Sequence, residues 1–176
     1  MRECKVSPVL VSIGSNIDPE GNIESAIELL RKRVDVKALS EFYWTRALGP
    51  DGRPDFLNGA CAIETDLSAR TLKFDVLRTI ERRLGRMRTA DRFAPRTIDL
   101  DLALYGDEIY CEDELVVPDP DIRKRAFLAV PLSELAFDRV VPGYQITLGR
   151  IAERLGRQGL APAPEFSARL KARLSP

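Results

Sequence analysis

Thr97-Ile98-Asp99-Leu100-Asp101-Leu102-Ala103-Leu104 alternates side-chain character with a period of two, as a strand covered on one face does. Ile98, Leu100, Leu102 and Leu104 fall on one face, the one expected to meet a layer of helices, and Asp99 and Asp101 share the other. Upstream, Leu72, Val76, Leu77, Ile80 and Leu84 recur at helical spacing behind Leu67-Ser68, with Ser68 as N-cap, Leu67 placed to staple onto Leu72 and Gly85 as terminator. Before that helix, Phe56 to Glu64 reads as a strand with Leu57, Gly59, Cys61 and Ile63 on one face and Phe56, Asn58, Ala60 and Ala62 on the other. Val36 to Thr45, with its Phe42-Tyr43-Trp44-Thr45 cluster, is a further strand, and Gly49 to Pro54 is a loop. Ile23, Ala26, Ile27, Leu30 and Val34 predict a helix to about Arg33, opened by Asp18 as N-cap and Pro19 at the first helical position. Val9 to Ile13 is a buried strand closed by Gly14, which is expected to supply a tight turn into that helix. The order β-α-β-β-α-β predicts an α+β, ferredoxin-like sandwich with helices on one sheet face.

The remainder adds C-terminal helices to this unit. Ile109-Tyr110 and Leu115-Val116-Val117 suit a short ribbon, Ile122 to Leu135 a helix interrupted by Pro131, and Ile146 to Leu155 a last helix. The expected division is a domain over 1–155 and a tail over 156–176, in which Phe166, Leu170 and Leu174 hint at a short helix. At 176 residues the chain suits one domain that buries roughly 70% of its unfolded surface without staples. Lys+Arg and Asp+Glu are both 27, which argues against nucleic acid and acidic membranes as partners. No apolar run reaches transmembrane length and Met1 to Leu10 carries no signal-peptide core, so a cytoplasmic protein is expected. Cys4, Cys61 and Cys111 are scattered, which suggests neither a disulfide framework nor a zinc site. There is no histidine, so Ser-His and Cys-His chemistry is excluded.

Chemistry must then come from carboxylates, arginines, lysines, hydroxyls or a bound ion. Asp99 and Asp101 lie about 7 Å apart along one strand face. Such a pair often does no more than solvate an open sheet face. Asp is disfavoured in strands, however, and two like charges on one face repel unless a cation lies between them. Mg²⁺ suits one or two carboxylates plus substrate phosphates, and a bridging carboxylate could serve two ions. Arg86, Arg88, Arg92 and Arg96 lie in the loop that feeds this strand, and guanidinium groups bind phosphate oxygens bidentately. Arg78, Arg82 and Arg83 belong to the preceding helix and read as its solvated face. No P-loop sequence is present, so a polyphosphate would be held by arginines and metal. Phe56 and Asn58 present a ring and an amide on the same open face, a pairing that suits a flat heterocycle, although packing and a turn bond would explain it too.

Six blocks stand in the order and spacing of a known family: Val11-Ser12-Ile13-Gly14-Ser15-Asn16, Phe42-Tyr43, Leu48-Gly49-Pro50, Pro54-Asp55-Phe56-Leu57-Asn58, Gly85-Arg86, and Arg92 to Leu102. From about Val9 to Leu155 the chain resembles the 6-hydroxymethyl-7,8-dihydropterin pyrophosphokinases of folate biosynthesis. The resemblance implies an enzyme that transfers the β,γ-pyrophosphoryl group of ATP to the pterin hydroxymethyl oxygen and releases AMP. It implies Asp99 and Asp101 as ligands of two Mg²⁺ ions, with Arg86 and Arg96 on ATP and its phosphates and Arg92 assisting. Thr45, Leu48, Phe56, Asn58 and Phe127 match the pterin pocket, in which Phe56 and Phe127 would sandwich the ring. Arg125 matches a basic residue near the triphosphate, and Glu81 and Leu102 match residues lining the nucleotide site.

Three positions depart from the family pattern. Asp119, in the ATP site, takes the place of the usual histidine. Phe93 stands where some members have tryptophan, and Arg78 where some have a neutral side chain. A non-catalytic module that binds a nucleotide or pterin is the competing reading, but it would not need Arg86, Arg96, Asp99 and Asp101 together. An RNA-binding module lacks its surface aromatics and basic stripe. ATP and the pterin are the expected partners of a monomer or weak homo-oligomer.

Overall fold

The computed structural model describes residues 8–49, 52–91 and 93–174. The elements are β1 (Val9–Ser15), α1 (Pro19–Arg31), β2 (Asp35–Leu39), β3 (Tyr43–Thr45), β4 (Phe56–Glu64), α2 (Ala69–Thr71), a π-helical segment (Leu72–Leu77), α3 (Arg78–Arg83), β5 (Asp99–Tyr105), β6 (Tyr110–Glu112), β7 (Leu115–Val117), a 3₁₀ turn (Pro120–Arg123), α4 (Ala126–Leu135), α5 (Leu148–Leu155), β8 (Ala161–Pro162) and α6 (Pro164–Ala172). Six strands form one sheet in the order β5-β1-β4-β3-β8, and β2 also pairs with β4. Every pairing in it is antiparallel, and β6 and β7 form a separate ribbon. This is the expected α+β sandwich with its added C-terminal helices. Among the described residues no helix is long and apolar enough to cross a membrane.

Two apolar layers flank the sheet. Val9, Val11, Ile13, Leu57, Cys61, Ile63, Leu100 and Leu102 meet α1 and the α2-to-α3 rod in one core. Helices lie on the opposite face as well: Leu10, Ala60 and Leu104 pack there against Leu128, Ala129 and Leu132 of α4 and Leu148, Ile151 and Ala152 of α5. The part of this second face that α4 and α5 leave uncovered carries the candidate site. Pro131 lies inside α4 without interrupting it.

The local differences from expectation have physical causes. Val36 to Thr45 is two strands along the same partner, because Ser40–Phe42 place one extra residue in the ladder between Leu39↔Cys61 and Tyr43↔Asn58; Ser40 Oγ accepts from Ala60 N–H at 2.8 Å. Phe42 fills the space over Gly59, where an added Cβ would approach its ring to 2.5 Å. The β1–β5 register shifts between Leu10 and Val11, whose partners are Leu104 and Leu102. That bulge turns Leu104 into the second core, away from Ile98, Leu100 and Leu102. Asp18 takes a left-handed conformation (φ 40°) with no side-chain cap bond; its carboxylate lies where a Cβ on Gly21 would stand. Ser68 does cap its helix, accepting from Thr71 N–H at 3.1 Å. Arg78 is not simply solvated: its guanidinium stacks over Phe74 and pairs with Glu114.

Residues beyond Gly156 are joined to this body. β8 pairs with β3, Phe166 and Leu170 are buried in the first core, and Ser167 Oγ accepts from Phe42 N–H at 2.8 Å.

Candidate functional site

The uncovered face of the sheet floors a cavity of about 500 Å³. At its acidic end β5 presents Asp99 and Asp101, as the period of two requires, and Arg96, Asp119 and Arg125 line the walls. Asp99 accepts from Arg86 at 2.5 Å and from Arg96. Arg86 also pairs with Glu81, which accepts from Leu100 N–H at 2.9 Å and from Arg88 at 3.2 Å. Glu81 is only 2% exposed. Burial pushes its carboxyl above the ordinary range, against the opposing Leu100 N–H and Arg86. Burial also works against the Arg86 charge, but Asp99 and Glu81 outweigh it and hold the guanidinium protonated. Glu81 and Arg86 thus stand behind Asp99 and outside the cavity wall.

Asp101 is met by a residue that sequence reasoning did not find. Lys73 Nζ lies 2.9 Å from Asp101 Oδ1. Asp119 takes up the start of the 3₁₀ turn, accepting from Asp121 N–H at 2.8 Å. Its carboxyl is pushed up to about 6, chiefly by burial and further by the charges of Asp101 and Asp121. Arg125 lines the cavity, and its buried Nε has no hydrogen-bond partner among the described residues.

The other end is aromatic. Phe56 and Phe127 line it with Thr45, Leu48 and Asn58. Asn58 Nδ2 donates to Thr45 Oγ1 at 2.7 Å, which fixes the amide orientation and leaves its oxygen as acceptor. Gly14 is not the expected turn: it lies within β1, opposite Asn58 and Asp99. A Cβ there would stand 2.7 Å from Asn58 Oδ1, so the glycine gives the amide its room. Leu48 is 45% exposed at the rim.

Loops complete the walls. Asn16 Nδ2 donates to Pro54 O at 3.1 Å while its Oδ1 accepts from Arg96 N–H at 2.7 Å, so one side chain ties both loops to β1. Arg53 reaches Asp91 at 2.8 Å and the Phe93 carbonyl. Phe93 packs over Gly49, whose φ of 99° and missing Cβ admit the ring. Asn16 belongs to the first of the family-like blocks but has no role legible from sequence, and nothing in the sequence marks Lys73 or Arg53. Leu102 does not reach the cavity: strand alternation buries it in the core beneath the helices. Arg92 lies outside the described residues.

The family described as 7,8-dihydro-6-hydroxymethylpterin-pyrophosphokinase matches residues 10–137. The chain belongs to this pyrophosphokinase family. It is 38% identical over 139 residues to a Haemophilus influenzae 2-amino-4-hydroxy-6-hydroxymethyldihydropteridine pyrophosphokinase, covering 77% of this chain and 86% of the relative. A Pseudomonas aeruginosa protein of the same name is 36% identical over 140 residues, with 78% and 85% covered. A Plasmodium falciparum HPPK-DHPS crystal structure shares the fold at TM-score 0.68 with 11% identity. That likeness covers 88% of this chain and 44% of the other, so this pyrophosphokinase chain spans less than half of that one.

The donor set fits Mg²⁺. Asp99 and Asp101 would hold it through hard oxygen ligands on one wall, since this ion suits one or two carboxylates together with water and substrate phosphate. In the pyrophosphokinase as described, the positive charge beside these carboxylates comes from Arg86, Arg96 and Lys73.

Proposed function

We propose that this cavity seats Mg²⁺-ATP at its acidic end and 6-hydroxymethyl-7,8-dihydropterin between Phe56 and Phe127, with two metal ions held by Asp99 and Asp101. As a member of its family the chain pyrophosphorylates hydroxymethyldihydropterin in folate synthesis. The observation that carries the placement of both substrates is the single cavity in which Asp99, Asp101 and Arg96 face the Phe56–Asn58 wall.

The pterin hydroxymethyl oxygen bonds to the β-phosphorus and gives up its proton to solvent, the bond from that phosphorus to the α–β bridging oxygen breaks, and AMP leaves with its electrons. Charge develops on oxygens of the transferred group, where Arg96 and Arg125 can act as fixed donors. Bound Mg²⁺ would neutralise and orient the phosphates. Stacking on Phe56 and Phe127, with the Asn58 amide on the ring edge, holds the hydroxyl in line and removes most of the entropic cost of a two-substrate reaction. Arg53 and Asp91, paired beside the cavity, join the described parts of the two loops and can help to exclude water. A monomeric or weakly self-associating cytoplasmic enzyme completes the reading.

AMP release from Mg²⁺-ATP with and without the pterin tests it. The expected result is pterin-dependent AMP with no ADP. Binding of both ligands with no AMP would leave the non-catalytic module as the better account. Phe56→Ala is expected to weaken pterin binding by about tenfold, the value of one stacked face, and to leave ATP affinity within about twofold. Equal losses for the two ligands in calorimetry would contradict the assignment of the aromatic end.

A further inference from the structure

Lys73 is in an unusual position for a lysine. Its neighbours Leu72, Val76 and Leu77 are buried in the first core, on the far side of the sheet from the cavity. β5 is the edge strand, so the side chain reaches Asp101 by passing around that edge. It arrives 12% exposed, with Nζ 2.9 Å from Asp101 Oδ1. The same oxygen accepts from Leu102 N–H at 2.9 Å. Shedding most of the hydration of an ammonium and fixing a four-carbon stem is costly, and an apolar side chain would fill the space without that loss.

What the ammonium meets there is an excess of carboxylates. Asp99 already has two arginine partners. Asp119 is strapped to β5 through its N–H on the Ala103 carbonyl at 3.0 Å, two residues beyond Asp101. Its carboxyl faces the charges of Asp101 and Asp121, and the Lys73 ammonium opposes them. Asp101, Asp119 and Asp121 line the wall where a triphosphate would lie, and each of them would repel that ligand.

We propose that Lys73 is a further residue of the nucleotide site, whose ammonium supplies the positive charge that lets Asp101 and Asp119 face a triphosphate. This rests on the reading of the acidic end as the ATP site. When Asp101 turns to a bound cation, the ammonium still offsets part of the Asp119 charge, so it lowers the repulsion between the wall and the nucleotide. It is a positioning residue that acts through charge, and the pterin end does not depend on it.

Calorimetry with Mg²⁺ and α,β-methylene-ATP tests this on the whole chain. Lys73→Met is expected to weaken nucleotide binding by about tenfold, the effect of one unit charge several ångströms away at an intermediate dielectric. Lys73→Arg should retain most of the affinity, and pterin affinity should stay unchanged in both variants. Adding Asp119→Asn to Lys73→Met restores the charge sum and should return nucleotide affinity to within about threefold of the parent, which repair of a merely structural defect would not do. Parental affinity in Lys73→Met, or a loss that Asp119→Asn leaves untouched, overturns the proposal. If Lys73→Met does not fold, Asp119→Asn alone decides: it should tighten nucleotide binding, and no gain refutes the role. A parent chain that binds no nucleotide would instead refute the ATP-site reading itself.

Discussion

Asp99→Asn is expected to lower pyrophosphoryl transfer by about a thousandfold, and Asp101→Asn by a similar factor, with the fold retained in both. A thousandfold loss corresponds to about 4 kcal/mol of transition-state stabilisation, the scale on which a metal ion neutralises developing phosphate charge. Asparagine keeps the shape of each side chain and one oxygen. Asp101→Asn can still accept from Leu102 N–H and Lys73. Asp99→Asn leaves Arg86 its Glu81 partner. Both side chains are partly exposed to the cavity, so the substitutions bury no new charge. Thermal unfolding should therefore move little, and pterin binding at the Phe56 end should stay close to that of the parent. Turnover near the parental rate in both variants would show that the pair does not hold the metal.

Much of this site was legible because strands write their faces into sequence. The period of two across 97–104 separates Asp99 and Asp101 from Leu100 and Leu102, and the structure keeps that separation. The strand Phe56–Glu64 was readable to the residue for the same reason. Where the backbone departs from a regular ladder, the period fails. A bulge turned Leu104 to the other core, and an extra residue at Ser40–Phe42 divided one expected strand into two. Gly14 suggested a turn, since glycine is the usual residue there. Its reason is instead a side chain from the neighbouring strand, which no local pattern reveals.

The residues missed share one property: their partners are remote in sequence. Asn16 ties together backbone atoms of Pro54 and Arg96. Lys73 meets a carboxylate from another layer of the sandwich. Composition and spacing carry no record of such encounters. The family resemblance supplied Glu81 and Leu102 as nucleotide-site residues, and geometry separates them: Leu102 is core, whereas Glu81 holds the guanidinium that holds Asp99.

That buried link predicts a divided outcome for the two arginines on Asp99. Arg96→Ala should cost activity and little stability, because Asp99 remains paired with Arg86 and is open to the cavity. Arg86→Ala should cost both. Removing one partner of a buried ion pair typically costs 3–5 kcal/mol. The Leu100 N–H and the more exposed Arg88 remain on Glu81, so about 2–3 kcal/mol is the better expectation, or a fall in Tm on the order of 5–10 °C. The sign of the pH dependence follows from the raised Glu81 carboxyl. A group bound more tightly to its proton in the folded state destabilises the fold as pH rises through its folded value, and losing Arg86 raises that value further. The deficit of Arg86→Ala should therefore be largest above neutrality and shrink towards pH 4. Adding Glu81→Gln removes the stranded charge while keeping an acceptor for Leu100 N–H, so stability should recover while activity stays low. An Arg86→Ala protein as stable as the parent at pH 8 would mean that Glu81 is already neutral in the fold. Recovery of activity along with stability in the double variant would mean that Arg86 serves only the Glu81 charge and takes no part in the chemistry.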